Sequence, residues 1–206
     1  MEFSLDKSKN IVVNVLSKGG VVVVPTDTIY ALSCVITNEN SLNKILAIKG
    51  RDISKGIPVL VPNKNYFYKY ANNVNKMCEK LIETFLPGAL TLIMKKKSFI
   101  SNIISGDSDN IALRIPNSKN LIKIMNILNS GITGTSANIS GKPHSLLKEE
   151  LVKDLGDKVD MIVFGEYTEK NKNPSTILDL SNNKLEIIRE GEITISDIKN
   201  AGIKVD

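Results

Sequence analysis

One histidine, two cysteines, no tryptophan and three arginines are all that 206 residues supply of several side chains on which enzymes often rely. With His144 alone, and with Cys34 and Cys78 far apart, the chain cannot build a multi-histidine or cysteine-rich zinc site or a CxxC redox pair. Two isolated cysteines read as buried small hydrophobes in a reduced compartment rather than as a disulfide. A Ser-His-Asp triad would have to use His144, which follows Pro143 in a loop, and no GxSxG elbow accompanies it. Long apolar runs are missing too. Nothing approaches the ~20 residues that a membrane span needs. The first apolar stretch is broken by Asn14, Ser17, Lys18, Gly19 and Gly20, unlike a signal-peptide core. Repeats, low-complexity tails and Pro/Gly/Ser-rich linkers are not visible either. The expectation is a soluble, cytoplasmic protein, folded as one domain over residues 1–206, which can bury roughly 70% of its unfolded surface.

The scarcity of arginine stands against an abundance of lysine: 24 of the 27 basic residues are Lys, and the net charge is +5. Codon bias with three chance survivors accounts for this. So does a second reading, in which Arg51, Arg114 and Arg189 persist where a planar, bidentate cation is required. Hydrophobic spacing predicts helices over 5–16, 41–49, 72–85, 118–129 and 146–155, with a short one from Ser196. Apolar or β-branched runs predict strands over 21–24, 57–61, 89–94, 111–115, 131–135, 160–164, 176–180 and 184–188. Strands and helices alternate, which predicts an α/β fold with helices packed on a mixed sheet. Residues 166–174 read as a surface loop.

Polar clusters recur at the ends of these strands, where open α/β sheets place ligands. Pro25-Thr26-Asp27-Thr28 follows the first strand, and its hydroxyls and carboxylate either cap a turn or face a ligand. Lys49-Gly50-Arg51 with Lys55 is either an anion cradle or a solvated basic loop, and lacks the spacing of a P-loop. Arg114 sits within an otherwise apolar strand and requires an anion, from the protein or from a ligand. The stretch from Gly131 to Gly141 packs Thr133, Thr135, Ser136, Asn138 and Ser140 around one strand end and leaves room for a flat ligand. Pro174-Ser175-Thr176 enters a later strand, and Arg189 beside Gly191 leaves the next. Lys95-Lys96-Lys97 reads as a solvated strand end.

Taken in order, PTDTIYAL, KGR with Lys55, LPGALTLIM, ALRIP, TSANISGKP, PSTILDL and IIREGEI resemble the YrdC-like family of threonylcarbamoyl-AMP synthases, from about Val21 to Ile193. The resemblance implies a single-domain, twisted mixed β-sheet with flanking helices and an open basic cavity. It also implies a reaction, in which L-threonine, bicarbonate and ATP, with Mg²⁺, become threonylcarbamoyl-AMP and pyrophosphate on the way to a modified tRNA adenosine. Thr28, Arg114 and Ser175 then hold threonine. Arg51, Lys55, Ser136, Asn138 and Arg189 hold ATP, and Lys49 joins Arg51 in catalysis. Possible tRNA contact and downstream threonylcarbamoyl transferase machinery follow from the same resemblance. An RNA-binding module without adenylate formation is the competing expectation, weakened by an aromatic content of 5% that leaves few stacking platforms. Three positions depart from the family pattern. Ala31 replaces a glycine and would be strained at positive φ, Asp52 replaces a proline beside the cradle, and Leu60 stands where some relatives have a threonine-binding histidine.

Overall fold

A computed structural model describes residues 5–50, 56–165, 173–182 and 184–204. Their order is α1 (Leu5–Ser17), β1 (Val22–Val24), β2 (Ala31–Ser33), α2 (Glu39–Lys49), β3 (Val59–Leu60), α3 (Asn65–Tyr70) and α4 (Lys76–Phe85). These are followed by β4 (Leu90–Lys95), α5 (Asn102–Ser105), β5 (Asn110–Arg114), α6 (Lys119–Leu128), β6 (Ile132–Thr133), β7 (Thr135–Ser136) and α7 (Lys148–Leu155). The last are β8 (Met161–Ile162), β9 (Thr176–Asp179), β10 (Glu186–Arg189) and α8 (Ile195–Asn200).

The α/β architecture follows the hydrophobic pattern, and the strands divide between two sheets, in orders β7-β2-β1-β8 and β10-β9-β4-β5-β3-β6. β1 shows why its sequence is uninterrupted valine. Val21 and Val23 enter one core with Leu32, Leu42 and Ile45, whereas Val22 and Val24 enter a second with Val12, Leu16, Leu121 and Ile124. A strand covered on both faces has no polar side to present to water. Among the described residues no helix is long and apolar enough to cross a membrane.

Local chemistry sets several boundaries that hydrophobic spacing alone misplaces. The helix expected over 72–85 begins at Lys76 because Asn75 caps it, accepting from the Cys78 amide. Asn73, at φ +57, turns the chain there in a conformation that asparagine tolerates. The preceding Tyr66, Phe67 and Tyr70 form the separate, buried face of α3. The strand expected over 131–135 is two strands in different sheets. β6 pairs with β3 and β7 with β2, and the chain changes sheets at Gly134. A Cβ on Gly134 would lie 2.7 Å from Leu60 Cγ, so any side chain at the crossing would have to displace Leu60. The short β2 and α5 arise where no apolar run announces them. Ala31 occupies β2 opposite Val24 and Ser136 and is not among the positive-φ residues. The strain expected of alanine there does not arise.

Candidate functional site

The larger sheet carries a transverse row of side chains. Its pairings set Leu60 of β3 against Arg114 of β5, Thr91 of β4 against Ile177 of β9, and Ile177 against Arg189 of β10. One step beyond the antiparallel pair Leu92 and Leu113, Thr91 comes beside Arg114. All five residues line one cavity of about 270 Å³, together with Thr28, Ser136 and Ser175.

Arg114, 6% exposed, is gripped in three directions. Its Nε donates to the Gly88 carbonyl (2.9 Å), Nη1 to Thr28 Oγ1 (2.9 Å) and Nη2 to Asp27 Oδ1 (2.6 Å). The anion that a buried arginine requires is therefore Asp27, at least in part; three of the five guanidinium hydrogens are used in these contacts. Thr28 is itself set by the turn after β1, where its amide donates to Thr26 Oγ1 (3.1 Å) and the Thr26 hydroxyl donates to the Ile29 carbonyl (2.7 Å).

Arg189 approaches from the far end of the row. Its Nε and Nη2 both donate to the Ser175 carbonyl, at 3.1 and 2.7 Å, and Nη2 lies 3.4 Å from Ser175 Oγ. Partial burial and the nearby Arg114 guanidinium pull its pKa below the ordinary arginine value. Among the described residues no carboxylate pairs with it. The backbone around it is tied down. Gly191 donates to Thr176 Oγ1 (2.9 Å), and a Cβ there would fall 2.2 Å from the Pro174 carbonyl oxygen.

Lys49 departs from the picture of a solvated loop. It is 4% exposed, and its ammonium donates to the Ser136 carbonyl (2.8 Å), Ser136 Oγ (3.3 Å) and Asn138 Oδ1 (2.6 Å). The Ser136 hydroxyl also donates to Asn138 Oδ1 (2.6 Å), and Asn138 Nδ2 to the Lys142 carbonyl (2.6 Å). Lys49 thus fastens the TSAN loop beside the cavity, while Gly50, at φ 56, ends α2 in the left-handed conformation. Arg51, Asp52 and Lys55 lie outside the described residues. His144 is exposed. Lys96 is anchored rather than free, donating to the Ile100 carbonyl (3.1 Å) and Asn102 Oδ1 (2.7 Å).

Thr28, Arg114, Ser136, Ser175 and Arg189, drawn from motifs spread over more than 160 residues of sequence, meet in this single cavity. The sequence matches the Sua5/YciO/YrdC family, whose description is telomere recombination, over residues 14–191. The chain belongs to this Sua5/YciO/YrdC family. A Vibrio parahaemolyticus protein named threonylcarbamoyl-AMP synthase is 32% identical over 182 residues, 87% of this chain and 97% of that protein. A Methanocaldococcus jannaschii protein, given the same name provisionally, is 39% identical over 181 residues, 87% of this chain and 84% of its own. The crystal structure of P. abyssi Sua5 complexed with L-threonine superposes with a TM-score of 0.90 at 26% identity. That match covers 98% of this chain and 58% of the P. abyssi protein, so this chain spans less than two thirds of that Sua5.

Two residues of this arrangement escape motif reading alone. Asp27 lies inside the PTDT motif, yet only the fold brings it to Arg114, 87 positions away. Thr91 lies inside LPGALT, and its signal is the alternation of β4: Leu90 and Leu92 enter the core, which turns the residue between them to the cavity.

Proposed function

We propose that the chain is an L-threonylcarbamoyladenylate synthase, a nucleotidyltransferase acting as one domain in the cytoplasm. The observation that carries this is the convergence of the Arg114 and Arg189 guanidiniums on one hydroxyl-lined cavity with Asp27 as the single described carboxylate paired to either. Such a site favours anions, and the proposed reactants are a carboxylate, a bicarbonate and a triphosphate.

Threonine's carboxylate rests against the remaining N–H groups of Arg114, with the hydroxyls of Thr28 and Ser175 beside it. Its free amine takes up the carbon of bicarbonate and water is lost, leaving a carbamate. A carbamate oxygen attacks the α-phosphorus of ATP, the bond to the β-phosphate oxygen breaks, and pyrophosphate leaves. The protein needs no covalent nucleophile for this. It contributes alignment and cationic stabilisation of the charge that shifts onto the phosphates. Arg51, Lys55 and Arg189 supply that charge, Ser136 and Asn138 orient the nucleotide, and Lys49 acts with Arg51, holding the Ser136–Asn138 loop in place.

Mg²⁺ enters as part of the substrate. Among the described residues no three His, Cys, Asp or Glu side chains gather as a metal-ligating group, and magnesium commonly binds through substrate phosphates with few protein ligands. The product is a mixed anhydride, which a downstream threonylcarbamoyl transferase would consume in modifying tRNA; direct contact of this chain with tRNA belongs to the same proposal. The test is pyrophosphate release from ATP, which should require both threonine and bicarbonate. Release indifferent to either one would overturn the reading, and saturable tRNA binding without ATP turnover would favour the RNA-binding alternative.

A further inference from the structure

We propose that Thr91 reads the β-hydroxyl of the amino-acid substrate; this rests on the synthase reading above and names the residue that sets its amino-acid specificity. Thr91 occupies the middle of the transverse row, between Arg114 on one neighbouring strand and the Ile177–Arg189 pair on the other side. It is 2% exposed, yet it lines the cavity. Its hydroxyl lies 2.9 Å from Ser175 Oγ, and that is its one hydrogen bond among the described residues.

A hydroxyl has one donor and two acceptor positions, so this buried group retains unused capacity on the cavity side. The form of that capacity depends on its neighbours. Arg189 Nη2 donates toward Ser175 Oγ, and either hydroxyl can donate in the Ser175–Thr91 contact; where Ser175 donates, the Thr91 hydrogen is left for an acceptor in the cavity, and where Thr91 donates, its oxygen is left to accept, and a substrate hydroxyl satisfies both arrangements. Cross-strand neighbours on one sheet face stand about 5 Å apart at Cβ, a span that one small amino acid covers. A substrate whose carboxylate lies on Arg114 therefore brings its β-substituents over Thr91. The β-oxygen meets the Thr91 hydroxyl, and the β-methyl finds the apolar side chain of Ile177, the neighbour of Thr91 in the row.

Sites built to hydrogen-bond a substrate hydroxyl discriminate strongly against analogues that lack it, because the site's polar group is left unpaired. The experiment measures kcat/KM for pyrophosphate release with L-threonine and with L-2-aminobutyrate, which keeps the methyl group and lacks the hydroxyl. Wild type should prefer threonine by about 100-fold or more. Thr91→Val should lower kcat/KM for threonine by at least about tenfold while leaving 2-aminobutyrate within about twofold, and Thr91→Ser should keep the preference. KM for ATP should be unchanged in all three proteins. Thr91→Ala replaces the valine variant if that variant does not fold. A valine or alanine variant that keeps the wild-type preference, or that loses both substrates in equal ratio, overturns the role of Thr91 and leaves the synthase reading intact. Wild-type pyrophosphate release without dependence on any amino acid overturns both.

Discussion

Arg114 and Asp27 form a nearly dry ion pair, Nη2 to Oδ1 at 2.6 Å, with 7% and 13% of their side-chain surfaces exposed. The other described ion pairs, Lys64 with Glu83 and Lys142 with Asp154, lie at the surface and contribute little. A buried pair is costly to break from one side because the remaining charge is left uncompensated. Asp27→Ala should therefore lower unfolding free energy by about 3–5 kcal/mol, read from chemical denaturation. Asp27→Asn keeps an acceptor for Nη2 and should lose less. KM for threonine should rise more than KM for ATP in both variants, since Arg114 loses its orientation. An unchanged denaturation midpoint in Asp27→Ala would contradict this account of the pair.

Arg189 should not tolerate lysine. Its two N–H groups converge on one carbonyl, that of Ser175, and a lysine ammonium cannot reproduce that fork while reaching the cavity. Loss of one charge-assisted hydrogen bond, about 1.5–3 kcal/mol, predicts a fall of roughly 10- to 100-fold in kcat/KM for ATP in Arg189→Lys. Kinetics equal to wild type would count against a nucleotide role for this residue.

Gly134 and Leu60 are coupled sterically. A methyl group on Gly134 would sit 2.7 Å from Leu60 Cγ, and both residues line the cavity. Gly134→Ala should cost about 1–3 kcal/mol of stability through overpacking and should weaken threonine binding as Leu60 is displaced. Adding Leu60→Ala to the same chain should recover part of the binding loss, a non-additivity that a double-mutant cycle measures directly. Strictly additive effects would show that the two side chains do not communicate.

The two cysteines should act as alkaline liabilities and not as reactive groups. Burial pushes Cys34 up to about 12 and Cys78 to about 11, against 9.0 for an open thiol. Below pH 9 both thiols keep their protons in either state, and their contribution to stability is complete. As pH rises from 9 toward the native values, the unfolded chain releases protons that the native chain retains, and stability falls. The loss approaches about 1.4 kcal/mol per pH unit for each thiol, so Cys34→Ala should flatten the decline in denaturation midpoints between pH 9 and 11. At neutral pH a thiol reagent should label neither cysteine until the protein unfolds.

These cases show what the sequence reveals and where it stops. β1 and α6 are legible because their apolar spacing has a single structural solution, and the motif order leads to the family because each motif survives as a local string. The partner of Arg114 is not legible. A salt bridge and a ligand carboxylate both satisfy the requirement of a buried arginine, and only the fold shows that Asp27, brought across from β1's end, is one such partner. Lys49 is legible only in part for a related reason. Beside Arg51 and Lys55 its charge suggests a solvated or phosphate-facing group, while in three dimensions it reaches 87 and 89 positions along the chain to Ser136 and Asn138. The sheet change at Gly134 is hidden because one run serves two sheets, and the late start of α4 is hidden because Asn73 acts through backbone conformation and Asn75 through a side-chain cap rather than through hydrophobicity.

The central claim is tested most directly by incubating the protein with ATP, Mg²⁺, L-threonine and ¹³C-labelled bicarbonate and analysing the products by mass spectrometry. The account predicts threonylcarbamoyl-AMP carrying one ¹³C, with pyrophosphate in equal amount and neither product when threonine or bicarbonate is omitted. Pyrophosphate released without the labelled adenylate, or in the absence of threonine, would contradict it.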